Sequence, residues 1–289
     1  METCPTCQKR TASQYKANVA SVYSQKKYDI YNCSNCNHFF TFPLPSDKDL
    51  SDIYNNKYSY DAHSLIENEK RMRAHKYAKD IANIKGVKSA LEVGCMHGLL
   101  LEELEQQGIE ASGVELDPTA VEYCQNRGLD VVQSSIEDHL DKANSEHDAI
   151  IMSHVIEHIV DPYKQLVALS KRMSKDGKLV LITPNSQAKS RKWFGRYWGY
   201  WQVPVHINHF NEQSMGKLLK RSGFKVIGTN AYGGDSLFFL SSLANRLGSK
   251  GDTKNLSSAK KTLVSIASKV LKPWYFLGHE DMVVVAQKA

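Results

Sequence analysis

No run in this sequence approaches the roughly 18 consecutive apolar residues that a membrane-spanning helix needs. The first residues, Met1-Glu2-Thr3-Cys4, lack a basic stretch followed by an apolar one, so no secretory signal is read and the cytoplasm is the expected compartment. Cysteine is scarce, with six in 289 residues, and in a cytoplasmic chain these are not expected to pair as disulfides. No internal repeat is visible. Charge of neither sign dominates: Lys and Arg number 37, Asp and Glu 31, for a net charge of +6. That mild basicity suits a phosphorylated substrate, RNA or an anionic membrane surface without selecting one. Hydrophobic residues at 42% and charged residues at 24% exclude a disordered chain. The length accommodates one large α/β domain and a small appendage.

Four of the six cysteines form two pairs, Cys4-Pro5-Thr6-Cys7 and Cys33-Ser34-Asn35-Cys36, separated by 25 residues. Four soft thiolates in two such pairs suit a tetrahedral zinc ion. A redox Cys-x-x-Cys is a poor alternative, because there are two of them. The spacer is longer than in the commonest ribbon, which a hairpin insertion explains. Residues 1–42 therefore read as short strands around a structural zinc bound by Cys4, Cys7, Cys33 and Cys36. A closed thiolate site has no open position, so no catalysis is assigned to it. Pro43-Leu44-Pro45-Ser46-Asp47 breaks the pattern, and residues 43–86 read as a helical cap with tyrosines at 54, 58 and 60.

From residue 87 strands and helices alternate. Strands are expected at 90–93, 111–116, 130–132, 148–153, 178–183, 224–228 and 282–286. Asp117-Pro118 and Asp161-Pro162 each place an N-cap before a proline at the first helical position, and Asn211 caps another helix. Gly108, Gly128 and Gly223 stand where helices should stop. This is the order of an α/β fold: a seven-stranded, Rossmann-like, mostly parallel sheet with helices on both faces, carried behind a small zinc-binding module. Two excursions interrupt the domain over 87–289, a lid over 186–210 and an insertion over 232–280.

After the first of these strands comes Glu92-Val93-Gly94-Cys95-Met96-His97-Gly98. Glycines in a strand-to-helix turn let the backbone approach a ligand. A dinucleotide site wants Gly-x-Gly-x-x-Gly, but counting from Gly94 gives Met96 and Leu99 instead, which keep a pyrophosphate away. S-adenosylmethionine carries an adenosine without phosphate and tolerates both. Glu115 ends the second strand, 21 residues after Gly94, where a carboxylate can accept from both ribose hydroxyls. Glu92 can meet the amino group of a methionine-like tail. The bland alternative is a generic α/β turn with surface acids; glycines, acids and strand order together favour the cofactor.

Glu92-Val93-Gly94-Cys95-x-x-Gly98, Val114-Glu115-Leu116-Asp117-Pro118 and Ser153-His154-Val155-Ile156-Glu157-His158-Ile159-Val160-Asp161-Pro162 resemble the motifs of class I S-adenosylmethionine-dependent methyltransferases. The last run is similar to a subgroup associated with polysaccharide and natural-product genes, in which a zinc ribbon is a known companion. The resemblance spans about residues 45–289. Met96 departs from the small residue usual at its position. The resemblance implies that Glu92, Gly94, Cys95 and Gly98 line the methionine end, that Glu115 and Leu116 lie at the ribose, that Ser135 and Ile136 border adenine, and that Ser153 and His154 face the cofactor.

Methyl transfer to a hydroxyl needs alignment and a proton acceptor, for which histidine is the usual choice near neutral pH. His154 after the fourth strand, and His206 and His209 after the fifth, are the candidate catalytic residues. His154 can instead pack on the cofactor, and His206 with His209 can instead form a metal pair or fix the loop. His158 reads as structural. Between residues 189 and 201, lysines and arginines interleave with Trp193, Phe194, Tyr197, Trp198, Tyr200 and Trp201, expected as a substrate lid, with an ordinary lid holding an aromatic mini-core as the alternative. Leu263, Val264, Ile266, Ala267, Val270 and Leu271 make an apolar helical face beside Lys260, Lys261, Lys269 and Lys272, which packs on its own domain or makes a peripheral contact with a membrane or partner. The expected function is methyl transfer to a small metabolite, with a nucleotide-linked sugar or other glycan or natural-product precursor as the leading class. An RNA methyltransferase and a non-catalytic partner that keeps the fold are the rivals. The ribbon is thin in basic residues, which disfavours nucleic acid.

Overall fold

The computed structural model describes residues 1–21, 23–56, 67–142, 147–233, 236–248 and 279–289, together with 257, 258, 260, 262, 263 and 266. The chain opens on three antiparallel strands, β1 (Ala12–Ala20), β2 (Lys27–Cys33) and β3 (Phe39–Phe42). Cys4 and Cys7 precede them, and Cys33 and Cys36 flank the β2–β3 turn, so the hairpin brings both pairs together. Helices α1 (Asp47–Asn56) and α2 (Glu67–Ala82) follow. Tyr58 and Tyr60 of the expected cap lie outside the described residues.

Next come β4 (Ser89–Val93), α3 (Leu99–Gln106), β5 (Glu110–Glu115), α4 (Pro118–Asn126), β6 (Asp130–Gln133), α5 (Ile136–Lys142), β7 (Ala149–Ser153), α6 (Pro162–Arg172) and β8 (Lys178–Pro184). After β8 the chain forms α7 (Lys189–Phe194), two 3-10 turns, β9 (Asn208–His209), α8 (Glu212–Arg221), β10 (Phe224–Tyr232), α9 (Ser236–Arg246) and β11 (Asp281–Lys288). The large sheet has the order β10-β11-β8-β7-β4-β5-β6. Strands β8, β7, β4, β5 and β6 run parallel, and β11 lies antiparallel between β8 and β10. The seven strands expected from the alternation are all present.

Period-2 alternation along the central strands divides the core. Ala90, Ala111, Ile151, Val180 and Ile182 face α2, α3 and α4, while Leu91, Val93, Ile150, Met152, Leu179 and Leu181 face α6 and α8. The caps form as the sequence indicates. Asp117 accepts from Thr119 N at 2.9 Å and Asp161 from Lys164 N at 3.0 Å. Asn211 and Ser214 make a reciprocal capping box.

Two features were not legible beforehand. First, β9 pairs antiparallel with β3, so a strand from beyond β8 completes the four-stranded sheet of the cysteine module. The module and the large domain thus share a sheet. Second, the stretch expected as a substrate lid is packed as a core. Trp198, Tyr200 and Trp201 are buried with Tyr28, Ile30, Phe39, Phe194 and Phe239, and only Trp193 and Tyr197 of its aromatics are exposed. Burial of large aromatic area against the module outweighs leaving those rings free for a ligand. Of the apolar face beyond α9, Leu263 and Ile266 are exposed; Val264, Ala267, Val270 and Leu271 lie outside the described residues.

Candidate active site

The chain runs from β4 outward through β5 and β6, then returns to place β7 and β8 on the other side of β4. In such sheets ligands bind in the crevice outside the carboxyl ends of the strands where the order reverses. Gly94, Ser153 and His154 occupy that place, at the ends of β4 and β7.

The β4–α3 turn is a run of left-handed residues: Gly94 (φ +69°), Met96 (φ +51°) and Gly98 (φ +72°). A side chain at Gly94 would bring a Cβ within 2.8 Å of Val155 Cγ2, and one at Gly98 would overlap Leu129, so neither position tolerates a Cβ easily. Cys95 is turned into the core against Gly113, where a Cβ would stand 2.6 Å from its Sγ. Burial pushes the Cys95 thiol up. Any contact from Cys95 to a cofactor is therefore through its backbone.

Glu115 is buried and tied to this turn. Its Oε2 accepts from Met96 N at 2.9 Å, and its Oε1 accepts from Leu116 N at 2.6 Å and Asp117 N at 3.0 Å. Oε2, with one donor, keeps an unused lone pair, so the carboxylate is oriented without being fully consumed. Leu116 is exposed beside it. Ser135 caps α5 through Asp138 N at 3.0 Å, and Ile136 packs partly buried beside it. Glu92 differs from Glu115. It is buried, its Oε2 has no hydrogen-bond partner, and burial, with help from the charge of Glu115, holds its carboxyl well above the usual range. A buried orphan carboxylate beside a strained glycine turn fits a cationic amino-acid tail, and Glu115 fits a ribose. The residues present accommodate S-adenosylmethionine.

His154 follows β7 in left-handed backbone (φ +56°), and its N–H bonds Ile182 O at 2.8 Å. A third of its side chain is exposed, and Nδ1 stands 3.4 Å from Glu157 Oε1. Burial works against its charge, but Asp281 and Glu157 outweigh that and hold the imidazole above its ordinary value. Ser153 before it is half-buried.

His206 and His209 are buried at 4% and 3% exposure. His206 Nδ1 lies 2.8 Å from Tyr200 O, and burial, with the nearby His158, takes its pKa down to about 3. His209 packs edge-on to Trp201 with ring centroids 4.7 Å apart and has Nε2 3.3 Å from Thr41 Oγ1. Burial pushes it well below its ordinary value. The two rings are 6.5 Å apart. Glu157, which the sequence reading passed over, is buried among these histidines. Burial opposes its charge, yet His154, His158 and His206 bring its pKa down to about 2. The only sequence signal for it was its place in the run from Ser153 to His158.

In the small module, Cys4 Sγ lies 3.5 Å from Cys36 Sγ and Cys7 Sγ 3.6 Å from Cys33 Sγ. Those separations are far beyond a disulfide of about 2.05 Å. They match two thiolates about 2.3 Å from one tetrahedral zinc, which stand about 3.8 Å apart. All four sulfurs lie within 4.8 Å of one another.

Fold and turn together define the class I, S-adenosylmethionine-dependent methyltransferases. A family model described as a methyltransferase domain matches residues 65–229, and the chain belongs to that family. Among curated relatives, a ubiquinone biosynthesis O-methyltransferase of Vibrio atlanticus is 29% identical over 109 residues, 36% of this chain and 46% of its own length. The corresponding protein of Methylococcus capsulatus is 34% identical over 102 residues, 33% of this chain and 43% of its own. The matched stretch thus spans under half the length of these relatives. A solved S-adenosylmethionine-dependent methyltransferase from Archaeoglobus fulgidus superposes with a TM-score of 0.52 at 19% identity, covering 83% of this chain and 98% of that one. The mitomycin 7-O-methyltransferase MmcR gives 0.51 at 15% identity, covering 84% and 59%. These structures share the fold.

Proposed function

We propose that this chain transfers a methyl group from S-adenosylmethionine to a hydroxyl of a small molecule, and that a zinc ion held by Cys4, Cys7, Cys33 and Cys36 stabilises its N-terminal module. The observation that carries the methyl-transfer reading is the pairing of two unlike buried carboxylates on adjacent strands beside one left-handed turn: Glu92, whose Oε2 has no hydrogen-bond partner, and Glu115, held by three backbone N–H groups. When bound, the cofactor supplies a methyl group already activated on a sulfonium.

The chain's own work is then orientation, exclusion of water and removal of a proton. Glu115 presents the remaining lone pair of Oε2 to a ribose hydroxyl. Glu92 receives the amino group. Of the three candidate histidines, His154 is the one we assign as proton acceptor. It is partly exposed at the carboxyl end of β7, whereas His206 and His209 are enclosed by the aromatic core and β3. A small-molecule acceptor agrees with the names of the O-methyltransferases that the chain resembles. A nucleotide-linked sugar or another glycan or natural-product precursor is the class implied by the Ser153–Pro162 motif.

The test is to incubate the chain with methyl-labelled cofactor and separate panels of nucleotide sugars, small phenols and RNAs. Label is expected in a small-molecule panel, and on that acceptor His154→Gln should lower turnover by about 10²–10⁴ while leaving cofactor affinity intact. Label confined to RNA would replace this acceptor class. Normal turnover by the variant would remove His154 from the role.

A further inference from the structure

Outside the thiolate cluster, Glu157, His158 and His206 each offer a ligand atom within 4.8 Å of those of the other two. The cofactor turn uses none of this trio, and of the three only Glu157 meets His154.

Glu157 is 1% exposed. Its Oε2 accepts from Thr183 Oγ1 at 2.9 Å, but its Oε1 makes no hydrogen bond and has only the ion-pair contact with His154 Nδ1 at 3.4 Å. A buried carboxylate oxygen left so is costly and calls for a ligand. The imidazoles are set up to supply lone pairs. His206 bonds Tyr200 O through Nδ1, which makes Nδ1 the donor and leaves the lone pair on Nε2. His158 donates one ring N–H to the Val205 carbonyl. Metal-binding histidines nearly always give their second N–H to such an acceptor, which fixes the tautomer and the ring plane. The rings stand edge to face, 4.7 Å between centroids. Two hydrogen bonds lock the two segments together: Ile207 N donates to Glu157 O at 2.9 Å, and the side-chain Nδ2 of Asn208 donates to Ile159 O at 2.7 Å.

We propose that Glu157, His158 and His206 bind a divalent transition-metal cation of the zinc and cobalt class. Two nitrogens and one carboxylate oxygen suit these ions, and three protein ligands leave positions open for water or an acceptor oxygen. Ligands about 2.1 Å from a shared tetrahedral ion stand about 3.4 Å apart, so the trio, within 4.8 Å of one another, would draw together on binding. His158 is half-buried, which gives the ion a way in. An ion pair of Glu157 with His154 alone would leave the two oriented imidazoles without a purpose. The inference is independent of the methyl-transfer reading, because it concerns metal binding alone.

Titration of the full-length chain with cobalt(II), followed by absorption and metal counting, separates this site from the thiolates. Thiolate-bound cobalt gives a sulfur-to-metal charge-transfer band; cobalt held by nitrogen and oxygen gives ligand-field bands without it. The expected result is an ion of the second kind, weakened at least about tenfold by His158→Gln and by His206→Gln, as losing a ligand should cost no less than losing a supporting partner. Cys4→Ser with Cys7→Ser should abolish the charge-transfer band, which assigns that band to the thiolates. His206 is buried, so if His206→Gln fails to fold, the half-buried His158→Gln decides. No nitrogen-and-oxygen-bound cobalt at millimolar metal, or such an ion unaffected by His158→Gln, overturns the proposal.

Discussion

Glu92 and Glu115 lie on adjacent strands and carry the same functional group, yet their surroundings prepare them for opposite tasks. Glu115 is oriented by backbone donors; burial, with the charge of Glu115, raises the Glu92 carboxyl well above its ordinary value. The consequence for stability has a definite sign. A carboxyl raised on folding binds its proton more tightly in the native state than in the unfolded one, so its contribution is full below the unfolded value and is lost as pH rises through the folded value. Without cofactor, thermal stability should therefore fall from about the ordinary carboxylate pKa of 4.5 upward more steeply in the wild type than in Glu92→Gln. Parallel melting profiles from pH 4 to pH 8 would show that Glu92 is not so burdened. At Gly98 the sequence pattern was already specific. Only the structure, however, shows that a Cβ there meets left-handed backbone and Leu129 together. Gly98→Ala should cost about 1–3 kcal/mol in a denaturant titration, from αL strain and crowding; a loss under about 0.5 kcal/mol would mean that the turn relaxes freely.

Among the elements, the legible ones were those with a strong local code. The buried strands β7 and β8, the proline-started helices α4 and α6 and the Asn211 cap all carry their signals within a few residues. Strand β9 carries none. It is two residues long, and its partner Phe39–Phe42 lies far away in sequence, so no periodicity could announce it. The segment 193–201 was read as a lid for a similar reason: interleaved rings and bases have no period that tells a binding surface from a core. What decides its packing is α9, which seats closely on it. Gly199 N donates to Ser242 Oγ at 2.7 Å, and Tyr200 packs on Phe238 with ring centroids 4.1 Å apart. A Cβ at Gly199 would overlap the backbone carbonyl of Phe238. Gly199→Ala should push α9 away at a cost of about 1–3 kcal/mol and make Trp198 and Trp201 fluorescence more water-like. Wild-type emission and stability would mean that α9 does not set this packing.

For the whole molecule, the shared sheet makes the cysteine module part of the enzyme's frame. Thr41 joins it to the histidine segment: its N donates to Ile207 O at 2.9 Å, and its Oγ1 donates to His206 O at 2.7 Å and lies 3.3 Å from His209 Nε2. His38, buried beneath, reaches Asn208 Oδ1 at 3.1 Å. The cysteine spacing was readable as a metal knuckle, but nothing in it told where the module would dock, because docking depends on tertiary contacts with residues 206–210. Removing the proposed zinc with a chelator should therefore raise amide hydrogen exchange at 38–41 and at 206–210 together. Faster exchange confined to the first 40 residues would mean that the module is an independent appendage. The central claim, that the β4–α3 turn holds S-adenosylmethionine with Glu115 on its ribose, is most directly tested by calorimetric titration of the full chain and of Glu115→Ala with that cofactor. The account expects saturable binding by the wild type and a loss of about 10- to 150-fold in the variant, the equivalent of about 1.5–3 kcal/mol for hydrogen bonds to a charged group; no binding by the wild type, or equal affinity in a folded variant, would contradict it.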